Sequence, residues 1–529
     1  MAFGLPAAFR LVRAGFLLAR AGIFSSIDAE ALPTAPRTAV RLARRLERRE
    51  AGVDKLVEAL HELGPSYIKL GQFLATRPDL VGRDLALALG RLRDEIPPFP
   101  RETAVATIAA ALDRDIDEVF VDLSEPVAAA SIAQVHRARL AVAPVEVASV
   151  ADALLPVLSD GDTAAADPPE TKSVAVKVIR PGARDLFRKD LKTFYAGARL
   201  IEALDPAARR LRPVAVVDTL ARSIAIEMDF RLEGAALSEL SANTAGDAGF
   251  RAPAVNWEFT ARDVLTMEWI DGVKLSDTEA LLAAGHDLQD LARRLMQAFL
   301  RQALRDGFFH ADMHQGNFFV EADGSIVAVD FGIMGRLGRA ERRFLAEILL
   351  GFIERDYRRV AQVHFDAGYV PPNHAVEDFA QALRAIGEPI HGQSARDISM
   401  GRLLTLLFEV TEIFDMQTRP ELLLLQKTMV VVEGVSRSLD PEFDMWSASE
   451  PVVREWIERN LGPVGQIENA AIGLSAFARL ASDLPRLAER AERLAGSLDG
   501  MSERPACANG SRLLWAVAVG ALLLALLAL

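Results

Sequence analysis

Apolar and polar residues change period several times along this chain, and the changes mark its elements. Residues 36–62 are rich in Arg, Leu and Glu, and Leu56, Leu60 and Leu63 put one apolar stripe on a helix that Gly64-Pro65 ends. A second helix starts near Ser66 and carries YIKLGQFLATRPD, with Lys69 and Gln72 on one face and Tyr67, Leu70 and Leu74 on another. Residues 101–113 read as helix and 118–140 as short strands around EPVAAASIAQVHRARL. Residues 141–172 are rich in Ala, Val, Asp and Pro without a clear period, and read as a partly flexible insertion. In SVAVKVIRPG, Val174, Val176 and Val178 alternate with Ala175, Lys177 and Ile179, which predicts a buried strand carrying one lysine. Helices are expected over 184–204 and 214–242, and an apolar strand over 264–273 that runs into a glycine turn. Leu288, Leu291, Leu295 and Phe299 predict a helix over 288–307 with Gly307 as its stop. FFV and IVAVDFG flank Asp323-Gly324 as a β-hairpin, and 340–495 reads as almost wholly helical.

Half of the 529 residues are apolar and a quarter are charged, so most of the chain should fold, as several domains or one large bilobal domain with extensions. The formal net charge of -13 argues against nucleic acid as a partner. The one cysteine, Cys507, leaves no intrachain disulfide and no cysteine metal cage, and suits a reducing compartment. LLWAVAVGALLLALLAL, residues 513–529, carries no charge. At 1.5 Å per residue it spans roughly 25 Å against a hydrocarbon core of about 30 Å, a short transmembrane helix, with a buried core helix as the plainer alternative. Arg504 and Arg512 before it keep the main body on the cytoplasmic side. At the other end, Arg10, Arg13 and Arg20 interrupt the apolar run, while Phe9, Val12, Phe16 and Leu17 keep helical spacing. That pattern suits an amphipathic helix on an anionic membrane surface, or equally one packed on the main domain.

The segment FFHADMHQGNFFV, 308–320, puts His310, Asp312 and His314 on alternate positions, which on a strand would converge as metal ligands. The other six histidines are scattered, so the fuller ligand set of a transition-metal site is missing, and the histidines read better as supports. Asp312 and Asn317 stand five apart, like the Asp and Asn of a kinase catalytic loop, and Asp330-Phe331-Gly332 closes the following apolar strand. Together with the strand lysine Lys177, the acids Glu227, Asp229 and Glu233, and the Ala-rich turn over 128–133, these make a specific set. Asp330 and Asn317 offer hard oxygen ligands for Mg²⁺, Lys177 a point charge for phosphates, and Asp312 a base or positioner for a hydroxyl or water. A buried strand lysine needs an anionic partner, either a helix acid or a bound phosphate.

With these motifs the chain resembles the UbiB family of atypical protein-kinase-like proteins, which act in ubiquinone biosynthesis. The likeness covers about residues 5–460 and the apolar tail. YIKLGQ matches the family's Lys-x-Gly-Gln signature, AAASIAQVH the Ala-rich loop that replaces the kinase Gly-rich loop, VAVKV the strand lysine, EMDFRLE the Glu-x-Asp helix, and HADMHQGN with DFG the catalytic segments. The sequence departs from the pattern at Gln315, where proline is usual, at Ala236, where asparagine is common, in the length of the insertion, and in showing one tail helix where two are common.

The resemblance implies an α+β, bilobal protein-kinase-like fold with a helical N-terminal extension, a mostly helical C-terminal lobe and a transmembrane tail. The expected boundaries are 1–110 for the extension, 111–270 for the N-lobe with insertion 141–172, 271–460 for the C-lobe, 461–510 for a helical linker and 511–529 for the tail. Among site residues it implies Asp312 and Lys177 as catalytic. Ala128, Ala129, Ala130, Ser131, Lys177, Glu233, Glu268 and Ile270 would hold ATP or ADP, and Asn317 and Asp330 would hold Mg²⁺. Lys177 would pair with an acid of the 227–233 stretch, foremost Glu233. Lys69 and Gln72 would lie over the site as regulatory residues, meet Glu227 or Asp229, and occlude a protein substrate.

An ATPase or small-molecule kinase at the bacterial inner membrane is expected, with its main domain in the cytoplasm. Its partners would be anionic lipids, a polyprenylated quinone precursor and other ubiquinone-biosynthesis proteins, with a homodimer left open. Direct 2-polyprenylphenol hydroxylation has no support here, since no Gly-x-Gly-x-x-Gly follows a strand and no iron-ligand set stands out. The alternatives are a small-molecule phosphotransferase of the aminoglycoside or choline kinase type, or a non-catalytic lipid-binding scaffold. A protein kinase is disfavoured because no Ala-Pro-Glu element follows Asp-Phe-Gly. Alanine restricts both backbone approach to phosphate and positive φ, so Ala129→Gly or Ala130→Gly should change the ratio of ATP to ADP affinity. Titration of both nucleotides against both variants checks this; unchanged affinities would refute it.

Overall fold

The computed structural model describes residues 5–21, 53–75, 96–141, 171–204, 212–391 and 420–462, with residues 41, 81, 85, 88, 89, 92, 209, 410 and 413–416 between them. Most of the insertion, the linker and the tail expected over 511–529 lie outside the described residues. Among those described, no helix is long and apolar enough to cross a membrane. The chain divides into two compact units, Met1–Arg454 and Glu455–Leu529, and the second is described only to residue 462.

Helix α1 (Leu5–Arg20) packs against α2 (Val53–Leu63) and against the helix over Ala183–Leu204, which realises the domain-packed option for the amphipathic N-terminus. After Gly64, α3 (Pro65–Ala75) carries the Lys-x-Gly-Gln motif. A β-carbon on Gly71 would fall 2.3 Å from a Leu92 methyl, so glycine is what lets α3 lie close to its neighbour.

Helices α4 (Arg101–Leu112) and α5 (Ile116–Val119) lead into an antiparallel sheet of order β1-β2-β3-β5, formed by Phe120–Ala129, Ala133–Ala141, Thr171–Ile179 and Val264–Glu268. β2 runs through Ala141 and β3 begins at Thr171, so the strands take up both ends of the expected insertion. The alternation of β3 sorts its side chains between two faces. Val174, Val176 and Val178 join Ile108, Phe120, Leu123, Leu140 and Val264 in a dry core under α4. Lys177 points the other way.

After α6 (Ala183–Leu204), the helix expected over 214–242 is two helices, α7 (Pro213–Glu227) and α8 (Phe230–Thr244). The break has a physical cause. Asp229 is a good N-cap, its carboxylate accepts the Arg231 N–H, and capping ends one helix and begins the next. Phe230, Glu233, Leu237 and Leu240 then form the buried face of α8, and Gly234 lets it approach Leu265 and Trp257 closely.

The second lobe has a sheet of order β4-β9-β8-β6, from Phe250–Arg251, Ile326–Ala328, Phe318–Val320 and Val273–Lys274. The expected hairpin is present as β8 and β9, with Phe318 opposite Ala328. After α9 (Thr278–Ala283), the helix expected over 288–307 is α-helical as α10 (Leu288–Leu300) and widens to a π-helical turn over Arg301–Asp306 before Gly307 closes it with positive φ. β7 (Phe308–His310) pairs with β10 (Met334–Arg336). The alternation of His310, Asp312 and His314 is therefore not a strand: the strand stops at His310, and a 3-10 turn over Gln315–Asn317 follows.

The C-terminal part is helical as far as it is described, with α11 (Arg339–Ile353), α12 (Tyr357–Asp366), α13 (Val376–His391), α14 (Pro420–Leu439) and α15 (Met445–Leu461). Tyr357, Val360, Phe379, Leu383, Val410 and Phe414 form its core. Half-buried His364 sits edge-on to Phe379 and Tyr369, and its Nδ1–H donates to the Val360 carbonyl. Burial pushes its pKa down to about 4, against that hydrogen bond. The unfolded imidazole, near pKa 6.5, takes up a proton that the folded one refuses, so stability should fall as pH drops from about 6.5 to 4. Urea unfolding midpoints at pH 7 and 5 check this; His364→Phe should lower the difference between them.

Candidate active site

Lys177 stands in mid β3, opposite Val135 on β2 and Leu265 on β5, and reaches away from the valine core. Its Nζ donates to Glu233 Oε1 at 2.6 Å and to Asp330 Oδ1 at 3.4 Å. The Lys177 and Glu233 side chains are only 13% and 7% exposed, so each charge needs the other. Burial disfavours the ammonium, but the carboxylates of Asp330 and Glu233 outweigh it and raise the Lys177 pKa. The Lys177 ammonium in turn holds Asp330 well below the usual carboxylate range. Burial pushes Glu233 upward while Lys177 opposes. One buried cation thus joins the first sheet, α8 and the Asp-Phe-Gly segment.

Asp330 lies at the exit of β9, where its Oδ1 also accepts the Gly332 N–H at 3.1 Å. Fully buried His310 braces this turn from behind. Its ring bonds the Asp330 carbonyl through Nε2 and accepts the Asp312 N–H at Nδ1, 3.1 Å away. A neutral imidazole with its proton on Nε2 satisfies both partners, and burial lowers its pKa, which favours that neutral form. Both ring nitrogens are therefore occupied, and among the described residues no group of three or more His, Cys, Asp or Glu is placed to hold a metal. That excludes His310 as a ligand in a His-Asp-His site.

Asn317 is buried, and its Nδ2 donates to the Asp312 carbonyl at 3.0 Å, which ties the two ends of the loop together. The Asp312 carboxylate is 38% exposed, with His314 Nε2 3.7 Å away. His314 itself caps the 3-10 turn, its Nδ1 accepting the Gly316 N–H. Two supports came from residues that pattern reading passed over. Gln302, in the π-helical turn, accepts the His310 N–H at 3.1 Å, and Thr428 in α14 donates to the Ala311 carbonyl at 3.1 Å. Gln302 stands within the helix expected over 288–307, but Thr428 has no local signal.

The Ala-rich stretch forms the β1–β2 turn. Ala128 and Ala129 belong to β1, opposite Val135 and Gln134, and the Ala130 N–H donates to the Ala133 carbonyl at 2.8 Å. Arg180 donates to the Ala130 carbonyl, and Gln134 and His136 form a buried chain from Phe99 to Ser124 beneath the turn. Ser131 is fully buried, and its Oγ has no protein partner among the described residues.

Lys69 pairs with Glu227 at 2.9 Å, each side chain 15% exposed, and its charge also helps to lower the Asp330 pKa. Gln72 lies half-buried on the same helix. Asp229 does not join them: besides capping α8, it takes both Nε and a terminal nitrogen of Arg231. The Glu268 carboxylate is held by Arg251 and the Ala254 N–H at the end of β5. Ile270 is buried two residues further on.

Residues 91–150 and 163–364 match the ABC1 atypical kinase-like domain, and 383–444 the UbiB helical domain. A protein named "Probable protein kinase UbiB" from Marinobacter nauticus is 38% identical over 439 residues, 82% of this chain and 75% of its own length. The chain belongs to the UbiB family. A second protein of the same name, from Azotobacter vinelandii, is 39% identical over 428 residues, 80% of this chain and 74% of its own. A solved Mycobacterium tuberculosis protein, in complex with erythromycin, is 24% identical at a TM-score of 0.49, covering 79% of this chain and 98% of that one. For this UbiB-family chain the expected α+β kinase-like fold therefore stands, and the lysine, the helix glutamate and the Asp-Phe-Gly aspartate meet inside the matched domain.

Removing Lys177 strands the buried Glu233 carboxylate and takes the neighbouring cation from Asp330. Lys177→Met is expected to cost about 3 kcal/mol of stability, the usual effect of breaking a buried ion pair. Lys177→Met/Glu233→Gln should recover part of it. Urea unfolding of both variants is the check, and equal stability of wild type and Lys177→Met would contradict it.

Proposed function

We propose that this chain is a Mg²⁺-dependent ATPase, or a small-molecule kinase-like enzyme, that supports ubiquinone biosynthesis at a membrane. The observation that carries the reading is the contact of Lys177 with both Glu233 and Asp330, which joins a phosphate-binding cation to a metal-binding acid across the two lobes. The residues suit Mg-nucleotide. Asp330 and Asn317 supply a carboxylate and an amide oxygen, the donors that a hard divalent ion takes. Ser131 offers a hydroxyl at the Ala-rich turn that has no partner among the described residues. Bound Mg²⁺ would neutralise phosphate charge. Lys177 would orient the phosphates, and Asp312, with its exposed carboxylate, would position the attacking hydroxyl or water.

The Lys69–Glu227 pair supports a closed site reserved for a small acceptor or water, because it fixes α3 to the end of α7 within electrostatic reach of Asp330. A polyprenylated quinone precursor drawn from an anionic bilayer would be such an acceptor. The apolar run at 513–529 would serve as the anchor, with the main body in the cytoplasm of a bacterial cell.

Mg²⁺-dependent ATP hydrolysis, measured with and without anionic liposomes, tests the reading. Wild type should hydrolyse ATP, faster with liposomes, and Asp330→Asn should lose at least about 100-fold, the scale of removing one charge-stabilising group. No nucleotide binding by wild type would sink the proposal. Intact ubiquinone in a deletion strain would remove the pathway while leaving the chemistry.

A further inference from the structure

The connection from α8 to β5 takes an unusual route. It leaves the first lobe, pairs as β4 in parallel with β9 of the second lobe, and returns to the first sheet as β5. Arg251 ends β4, and two glutamates share its guanidinium. Nε donates to Glu321 Oε2 at 2.8 Å, and one terminal nitrogen to Glu321 Oε1 at 2.7 Å. That same nitrogen donates to Glu268 Oε1 at 2.9 Å and the other to Glu268 Oε2 at 3.0 Å.

The positions of these two acids give the pair meaning. Glu268 is the last residue of β5, where the chain leaves the first lobe. It is further held by Ala254, whose N–H meets its carboxylate and whose carbonyl accepts its own N–H. Glu321 directly follows Val320, and Val320 pairs with Val273, where the chain enters the second lobe. A β-carbon on Gly272 would come 2.7 Å from the Val320 carbonyl, so this end is also tightly seated. The connecting segment, 269–272, is thus fixed at both ends through one side chain. An exposed ion pair is worth little, but forked Arg–carboxylate geometry in a network is the exception. At 33% exposure Arg251 is shielded enough to count.

We infer that Arg251 is a positioning residue that sets the angle between the lobes, and through it the register of Lys177 against Asp312, Asn317 and Asp330. Its consequence for nucleotide rests on the function proposed above; the effect on lobe geometry does not. The test is a pulsed-EPR distance between spin labels at Val121→Cys in the first lobe and Leu282→Cys in the second, both exposed, in full-length protein carrying Cys507→Ser. Arg251→Met is compared with Arg251→Met/Glu268→Gln/Glu321→Gln, which leaves no stranded carboxylates, and thermal melting confirms folding. Arg251→Lys keeps the charge but cannot fork to both acids, and it stands in if the others fail to fold.

The parent should give one narrow distance, and the variants a broadened or shifted one. ATP affinity should fall about tenfold in the same variants, the size of a typical coupling between sites. Unchanged distances in folded variants would overturn the inference. So would a narrow distance regained in the triple variant, since repulsion between stranded glutamates would then be the whole effect. A wild type that binds no ATP would remove the nucleotide reading, while the distances still judge Arg251.

Discussion

A lysine ammonium kept from water is the constraint around which the site is arranged. Lys177 can stay charged on a buried strand only if carboxylates stand beside it, since a lone buried charge costs several kcal/mol. Glu233 and Asp330 meet that need from two different directions, and each belongs to an element that must then be held in place. Glu233 requires α8 close to the sheet, which the absence of a side chain at Gly234 allows. Asp330 requires its turn to be rigid, and buried His310 holds that turn to the Asp312 loop.

The same logic explains the bracing further out. Asn317 closes the loop on the Asp312 carbonyl, Gln302 and Thr428 hold its backbone, and Arg180 holds the Ala-rich turn. α8 is tied to the second lobe at its far end too, by Arg336 to Glu239 and by Arg305 to Asp247 and the Asn243 carbonyl. Together with Arg251, these ion pairs tie the lobes at several separate points. Charged partners suit this task, because geometry between opposed forks is directional where apolar packing is not.

Family membership and local chemistry were open to reading from the chain because the decisive residues sit in short, ordered motifs. The strand around Lys177, the hairpin carrying Asp330 and the loop from Asp312 to Asn317 all have local periods or turn residues that a sequence displays. One reading had to change. The single helix over 214–242 divides at Asp229, where N-cap chemistry outweighs helical periodicity. His310 and His314 alternate in sequence without sharing a strand, and both serve as supports of the loop, as their scatter from other ligands suggested.

What the chain by itself determined, then, is local: which strand carries the lysine, which turn carries the Asp-Phe-Gly element, and which faces are apolar. These follow from periods of two and 3.6 residues and from turn residues, which act over a few positions. Only tertiary structure decided the partners. Glu233 rather than Asp229 meets Lys177, Glu227 meets Lys69, and Thr428 reaches Ala311 across 117 residues of sequence. Pairing of this kind depends on how two sheets and their helices are set against each other, and no local period encodes that angle.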